Sequence, residues 1–160
     1  MTQIRRILVP VDFSATSDIA LRYAIDMAAR LSATIHLIHV IEAQGYTAPS
    51  DGYRSQRASR QWQVTKELQR QLTETTTRCV EGGVEAIAHI VSGKPAAVVV
   101  EQAFERGIDL IVMGTHGRSG VAHLLLGSVA ERVVRSAPCP VLTVRDTPRV
   151  ADALSVAFGG

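Results

Sequence analysis

The sequence predicts an α/β fold, a three-layer doubly wound sheet of five mainly parallel strands. Five short runs of β-branched and apolar residues are separated by segments of helix length. The runs lack the alternation of apolar and polar residues that marks a sheet with one face in water, so both faces of each strand should be covered. Parallel strands connected through helices need right-handed crossovers, which place helices on both sides of the sheet. The predicted element order is β-α-β-α-β-α-β-α-β.

The predicted strands are bounded by proline, glycine or capping residues, which punctuate the chain. They span residues 4–11, 33–41, 84–91, 108–113 and 140–144. The first strand ends with Pro10 and Val11 and is followed directly by Asp12, so a carboxylate lies at its carboxyl end. Residues 42–55 carry glycine, proline and polar residues and are predicted to form an exposed loop.

The first two helices are predicted from apolar residues that recur every three or four positions. The first follows Ser14 or Ser17, either of which can cap it, and continues to Leu31. The second covers residues 56–81, a largely polar segment, and is expected to be a surface helix whose weakest turn is the β-branched stretch 75–77. Its sparse apolar stripe comprises Val64, Leu68, Leu72 and Cys79.

The third helix is predicted to open at Gly93-Lys94-Pro95, because proline is favoured at the first helical positions. Its predicted buried face comprises Ala96, Val99, Val100, Ala103 and Phe104. Gly107 is predicted to end this helix. A fourth helix is predicted over residues 129–136.

Length and composition limit the class of protein. The 160 residues suit one domain, predicted to cover residues 1–145, with a tail at 146–160 whose structure is not predicted. The apolar fraction of 46% is typical of a globular protein, and a net charge of +2 is too small to indicate a nucleic-acid or membrane partner. The apolar run at 7–11 contains Pro10 and is too short for a signal peptide or membrane span. Cys79 and Cys139 lack a C-x-x-C companion, which favours reduced thiols in a cytoplasmic protein over a zinc site.

The most informative stretch lies between the fourth strand and the last helix. It has the spacing Gly114-x-x-Gly117-x9-Gly127-Ser128. Glycines after a strand and at a helix N-terminus allow backbone N–H groups to approach a phosphate. Neither common phosphate loop is present, because Gly93-Lys94 lacks the other residues of the Walker pattern and no G-x-G-x-x-G follows the first strand. The sequence therefore predicts a different phosphate-binding loop.

The surroundings of this loop add candidate ligand contacts. If strands one and four are neighbours, Asp12 and Gly114 share the crevice at the switch point of the sheet. His116 and Arg118 can add charge or hydrogen bonds to a phosphate. A Cβ at Gly114 is expected to occupy ligand space.

Ser128 has two interpretations. It can contact a phosphate at the N-terminus of the last helix, or it can cap that helix, because Ser128-Val-Ala-Glu131 matches the capping-box pattern. In the second case Gly127 only forms the turn. The full glycine spacing favours the ligand, and the capping alternative stays open.

With these motifs the sequence resembles the universal stress protein family, and within it the ATP-binding branch. The resemblance rests on Ile7-Leu-Val-Pro-Val-Asp12-Phe-Ser14, Gly114-Thr-His-Gly-Arg-Ser-Gly120, Leu126-Gly-Ser-Val-Ala-Glu131 and Cys139-Pro-Val-Leu-Thr-Val144. It implies a parallel sheet of strand order 3-2-1-4-5, the adenine nucleotide alpha hydrolase-like fold. It also implies that the chain binds ATP, with magnesium as the expected companion ion.

The same resemblance implies roles for individual residues. The adenosine site would comprise Pro10, Val11, Asp12, Val40, Met113 and Gly114, and the phosphate cradle Gly117, Gly127, Ser128 and Val129. His116 and Arg118 are added to this cradle on their chemistry and position alone. The Asp12 carboxylate would reach the ribose hydroxyls. Val40 would offer backbone groups to adenine and Met113 would pack on the base, although ordinary core packing explains these two residues equally well.

The implied function is a nucleotide-dependent sensor or regulator of the stress response with little or no turnover, in a homodimer that pairs through Val141–Val144. No catalytic residue and no metal ligand is assigned. The side chains near the motif that could assist hydrolysis are His116, Arg118, His123 and Glu131.

Two alternatives keep the same fold, a weak ATPase and a dimeric scaffold that binds no nucleotide. An adenylyl-transferring enzyme is disfavoured, because the first strand carries neither an S-G-G-x-D-S nor an H-x-G-H signature. His36, His39 and His89 lie in predicted strands and are interpreted as packing residues.

Overall fold

The computed structural model describes residues 3–42, 54–116 and 126–146, and for residues 54–62 it describes the helical backbone alone. In these residues, five strands alternate with four helices in the predicted order. The elements are β1 (Arg6–Pro10), α1 (Ala15–Leu31), β2 (Thr34–Ile41), α2 (Arg54–Glu81), β3 (Ala86–Ser92), α3 (Pro95–Glu105), β4 (Leu110–Gly114), α4 (Ser128–Ser136) and β5 (Val141–Val144). Most of the predicted loop at 42–55 and the tail from residue 147 lie outside the described residues.

The five strands form one parallel sheet in the order β3-β2-β1-β4-β5. β1 is central, with Ile7 opposite Ile35 of β2 on one side and opposite Leu110 of β4 on the other. β3 and β5 are the two edges of the described sheet. The predicted fold class and strand order are therefore confirmed.

The sheet separates two apolar cores. The first core lies under α1 and α2 and receives Ile7 and Ile35 from the sheet. The second lies under α3 and α4 and receives Leu8 and Ile38. Because neighbouring strand residues point to opposite cores, the strands read as continuous apolar runs in the sequence.

α1 has the better defined start of the first two helices. The hydroxyl of Ser14 accepts the backbone N–H of Ser17 at 3.2 Å, so Ser14 is the cap of the two serines that the sequence offered. Asp18, in the first turn, forms an ion pair with Arg78 of α2. This pair links the two helices that cover the first core.

α2 begins two residues earlier than predicted and runs unbroken from Arg54 to Glu81. Leu68 and Leu72 are buried as predicted, whereas Val64 is 67% exposed and does not belong to the apolar stripe. The first core therefore receives the last three residues of the predicted stripe, Leu68, Leu72 and Cys79.

The threonine turn of α2 is continuous helix in the structure. Each hydroxyl of residues 75–77 donates to the carbonyl four residues earlier, at 2.7 to 2.9 Å. Both cysteines are free thiols, as predicted. Burial raises the pKa of the Cys79 thiol to about 11, so this buried group stays protonated.

α3 differs most from the predicted burial. Val99 and Ala103 are buried as predicted, but Phe104 is 77% exposed and Val98 is buried instead. The prediction for Phe104 is wrong because three successive valines leave the rotation of the helix undetermined by periodicity. In the structure Val98, Val99 and Ala103 all pack into the second core, and Val98 also lies close to Gly93, where an added Cβ would be 2.7 Å from its side chain.

The strand limits differ from the predicted ones by up to two residues. Every strand begins one or two residues later than predicted, and β3 and β4 each end one residue later. At the start of β1, the backbone N–H groups of Arg5 and Arg6 donate to the Asp109 carboxylate at 2.8 and 2.9 Å, which joins the amino ends of β1 and β4. Among the described helices, none has a stretch both long and apolar enough to span a bilayer.

Candidate functional site

The chain changes direction across the sheet at β1 and β4, which lie side by side. The helix after β1 packs on the first core and the helix after β4 packs on the second. Connections that leave neighbouring strands toward opposite faces open a crevice at the carboxyl ends of those strands. The predicted neighbourhood of strands one and four is confirmed, so Asp12 and Gly114 lie at the ends of adjacent strands.

The turn after β1 presents Asp12 through a short hydrogen-bond network. Oδ1 of Asp12 accepts the backbone N–H of Ser14 at 3.0 Å, as in an Asx turn. The backbone N–H of Asp12 lies 3.4 Å from the hydroxyl of the buried Ser17. Phe13 has φ 61°, in the left-handed region, which costs a residue with a Cβ about 1–2 kcal/mol. Contacts around the turn must therefore hold it.

An apolar surface lies beside this turn on the second-core face of the sheet. Met113 of β4 is buried, and Val40 of β2 and Val91 of β3 are half-buried neighbours in register. Leu126 and Val129, at the start of α4, are also half-buried and pack on the same core. Half-buried apolar side chains at the carboxyl edge of a parallel sheet suit a flat aromatic ligand.

The N-terminus of α4 faces the same end of the sheet. Gly127 is its N-cap, and glycine has no side chain with which to accept the first helical N–H groups. Ser128 is the first helical residue and is exposed. The Glu131 carboxylate pairs with Arg135 at 3.0 Å instead of turning back to the cap. The capping-box interpretation of Ser128 is therefore wrong. Among the described residues no side chain caps the first N–H groups of α4, and N–H groups at a helix start can bind an anion.

The two described glycines of the motif are required by close backbone packing. A Cβ on Gly114 would lie 2.9 to 3.2 Å from atoms of Thr16 in α1. A Cβ on Gly127 would lie 2.8 Å from the carbonyl oxygen of Thr115, to which the Gly127 N–H donates at 2.7 Å. The expectation that a Cβ at Gly114 enters ligand space is wrong, because that Cβ points to α1.

Comparison with known proteins places this architecture in a family. The family model described as "Universal stress protein family" matches residues 3–145. The chain belongs to the universal stress protein family. Universal stress protein MJ0531 of Methanocaldococcus jannaschii is 35% identical over 147 residues, which cover 88% of this chain and 82% of that protein.

Two solved structures share the fold of this universal stress protein. UspA from Lactobacillus plantarum superimposes with a TM-score of 0.79 at 24% identity and covers 91% of this chain and 100% of its own, a likeness of fold alone. A universal stress protein crystallised in complex with cAMP superimposes with a TM-score of 0.69 at 25% identity, again covering 91% of this chain and 100% of its own.

In this universal stress protein most of the predicted site residues lie at the carboxyl ends of the strands. The described members are Pro10, Val11, Asp12, Val40, Met113, Gly114, His116, Gly127, Ser128 and Val129. A ring nitrogen of His116 lies 3.0 Å from the hydroxyl of Thr115. Gly117, Arg118 and His123 lie outside the described residues.

Sequence reasoning missed His39 as a residue of this region. Its Nδ1 lies 2.8 Å from the Val11 carbonyl oxygen, and its ring stacks on Phe13 with centroids 5.0 Å apart. The signal was a polar residue on the core-facing side of a strand, one position before Val40. Such a residue needs a partner, and the neighbouring strand end supplies one.

Proposed function

We propose that this universal stress protein binds an adenine nucleotide, ATP with magnesium, at the carboxyl ends of β1, β2 and β4. One observation carries the proposal: three chemically different surfaces lie at this carboxyl end of the sheet. They are an apolar surface, a turn that presents a carboxylate, and a helix N-terminus whose cap has no side chain. A nucleotide has three parts that suit these surfaces: the base suits the apolar surface, the ribose suits the carboxylate, and the phosphates suit the helix N-terminus.

The base would lie on the apolar surface. Val40 and Val129 offer half-buried side chains beside the buried Met113, so an aromatic ring could bury one face without displacing the core. Backbone groups at the end of β2 would bond the polar edge of adenine. Core packing of Val40 and Met113 and contact with the base are compatible, because each side chain already belongs to the second core.

The ribose and the phosphates would extend from β1 toward α4. The Asp12 carboxylate accepts hydrogen bonds and suits sugar hydroxyls. The first N–H groups of α4, with Ser128 exposed among them, suit an anionic group. Gly117, Arg118 and His116 would complete the cradle, and magnesium would arrive with the polyphosphate.

The family supports this ligand class. A universal stress protein of 25% identity and the same fold has been crystallised in complex with cAMP, an adenine nucleotide. We propose the same class of ligand here, in a cytoplasmic homodimer that pairs through β5 and acts as a nucleotide-dependent sensor or regulator of the stress response, with little or no turnover.

A second candidate function is a dimeric scaffold that binds no nucleotide. The packing of the motif glycines is compatible with it, because Gly114 and Gly127 are needed for contacts with Thr16 and Thr115 whether or not a ligand binds. The glycine pattern alone therefore does not distinguish the two functions, and ligand binding must.

The test begins with protein purified without added nucleotide. Denaturation and chromatography of the released small molecules should identify ATP or ADP, and calorimetry of the nucleotide-free protein should show binding of ATP with magnesium. Titration with GTP is the control for the base, and we expect affinity at least about tenfold weaker, the equivalent of about 1.4 kcal/mol.

Two results would change the assignment. Neither heat nor a thermal shift at millimolar ATP would remove the binding function and leave the scaffold. Phosphate release at or above the ordinary enzymatic rate of about one per second would show an enzyme.

A further inference from the structure

The imidazole of His39 joins the ends of two strands that carry proposed site residues. Its Nδ1 lies 2.8 Å from the Val11 carbonyl oxygen, and Val11 directly precedes Asp12. A carbonyl oxygen can only accept a hydrogen bond, so Nδ1 must carry the proton. The tautomer of His39 is thus fixed by its bond to Val11.

The peptide unit between Val11 and Asp12 is held at both of its polar atoms. Its carbonyl accepts from His39, and its N–H lies 3.4 Å from the Ser17 hydroxyl. The preceding N–H, that of Val11, donates to the Ile38 carbonyl at 2.8 Å. The orientation of Asp12 therefore depends on β2 as well as on its own turn.

The ring of His39 also lies against the strained residue of the turn. Its plane is inclined 26° to the ring of Phe13, with centroids 5.0 Å apart. A left-handed residue other than glycine persists only where its surroundings hold it, and here the stacked ring is one such contact. His39 also directly precedes Val40, so the strand end proposed to meet adenine and the turn proposed to meet ribose share one support.

We infer that His39 is a positioning residue, which holds the β1–α1 turn and thereby sets Asp12 relative to Val40 for the nucleoside part of the ligand. The inference rests on the proposed nucleotide binding. His39 itself does not have to touch the nucleotide. Its loss should act through the turn and should depend on the carboxylate that the turn presents.

The test compares three variants. His39→Leu fills the site without a donor, and His39→Asn keeps an N–H near the position of Nδ1. His36→Leu is the matched control. His36 lies on the same strand as His39 but points to the second-core face of the sheet, whereas His39 points to the first-core face. Affinity for adenosine and for ATP is measured by calorimetry, and the melting temperature is measured beside it.

We expect His39→Leu to weaken binding of adenosine and ATP by the same factor, because binding must then order a turn that His39 no longer holds. The expected loss is about tenfold, which corresponds to about 1.4 kcal/mol of binding free energy. His39→Asn should stay within about threefold of the wild type. His36→Leu should lower the melting temperature without changing either affinity. Unchanged affinity in His39→Leu would overturn the inference.

A double-mutant cycle separates positioning from general loosening. In an Asp12→Asn background His39→Leu should cost less than about threefold, because the group that it positions has already been changed. The full tenfold loss in that background would show that His39 acts elsewhere.

Hydrogen exchange gives a readout without ligand. The Ser14 and Ser17 backbone N–H groups both bond within the turn, and they should exchange faster in His39→Leu than in His36→Leu. If the wild type binds no adenine nucleotide, the proposed function fails by itself. Equal exchange rates in the two variants would show that His39 does not hold the turn, whether or not the protein binds a nucleotide.

Discussion

At the residue scale, the charge of Asp12 can be separated from its role in the turn. Asp12 Oδ1 accepts the Ser14 N–H at 3.0 Å, and the amide oxygen of asparagine can accept the same bond. Asp12→Asn should therefore keep the turn while it removes the charge that strengthens hydrogen bonds to sugar hydroxyls. We expect affinity for adenosine and ATP to fall by about tenfold or more, measured by calorimetry, with little change in the melting temperature.

Asp109→Asn is the control for this variant. Asp109 lies at the opposite end of the same pair of strands, where its carboxylate accepts the N–H groups of Arg5 and Arg6. This change should lower stability and leave the affinity for nucleotide unchanged. Equal loss of affinity in both variants would show that Asp12 acts only through the stability of the fold.

Gly114 supplies a prediction about stability. Its missing Cβ leaves room for Thr16, whose nearest atom would be 2.9 Å away. Gly114→Ala should therefore destabilise the protein by about 1–3 kcal/mol, the usual cost of overpacking, measured as the free energy of unfolding in denaturant.

Thr16→Ser tests the cause of that loss. It removes the Cγ2 atom that makes the closest approach, so the double variant should lose less stability than the sum of the two single changes. Strictly additive losses would place the strain somewhere else.

At the scale of elements, His36 and His89 connect β2 to the edge strand β3 through one proton. Nδ1 of His36 lies 3.2 Å from Nε2 of His89, and the two ring planes are inclined by 6°. The ring centroids are 5.5 Å apart, which is the nitrogen separation plus the two ring radii, so the rings meet edge to edge. One nitrogen must donate and the other must accept, and a doubly protonated pair cannot form this bond.

Stability should depend on pH through this pair. Burial, followed by the charge of Arg106, holds the pKa of both His36 and His89 below the ordinary value of 6.5, and Glu85 opposes this only at His36. The unfolded chain therefore binds protons more readily, so the contribution is complete above pH 6.5 and is lost as pH falls toward the lowered values.

The comparison that isolates this effect uses His36→Asn/His89→Asn. Melting temperatures of the wild type and the double variant are measured from neutral to mildly acidic pH. The wild type should lose stability more steeply below pH 6.5 than the double variant does. Parallel curves would contradict the role of the pair.

The elements themselves were predictable because their signals are local. Apolar runs, the Ser14 cap and Gly93-Lys94-Pro95 give strand and helix positions to within two residues. The side of α3 that faces the core was not predictable, because Phe104 and the valines before it fit two rotations of the helix. Tertiary packing decides between such rotations, and periodicity does not record it.

The location of the site was predictable from the sequence, but the contacts that shape it were not. A carboxylate after the first strand and glycines after the fourth located the switch point, since the carboxyl ends of parallel strands share one edge. The sequence did not show that Gly114 makes room for Thr16, or that His39 bonds to Val11. Both contacts join elements distant in the chain, and no local pattern encodes them.

At the scale of the whole molecule, the described sheet has two unlike edges. β3 is a seven-residue strand with Ile87 42% exposed, and β5 has four residues with Leu142 37% exposed. An unpaired apolar edge is a place where a second chain can add its strand. The proposed homodimer uses β5, where pairing across a two-fold axis would continue the sheet.

The two edges provide matched variants for that proposal. Leu142→Lys places a charge on the proposed dimer edge and should convert the protein from dimer to monomer, because a desolvated lysine without a partner opposes association. Ile87→Lys makes the same chemical change at a similarly exposed position on the other edge and should leave the dimer intact. Light scattering coupled to size-exclusion chromatography, at equal protein concentration, gives the mass of each. A monomeric wild type, or a dimer lost only in Ile87→Lys, would move the interface away from β5.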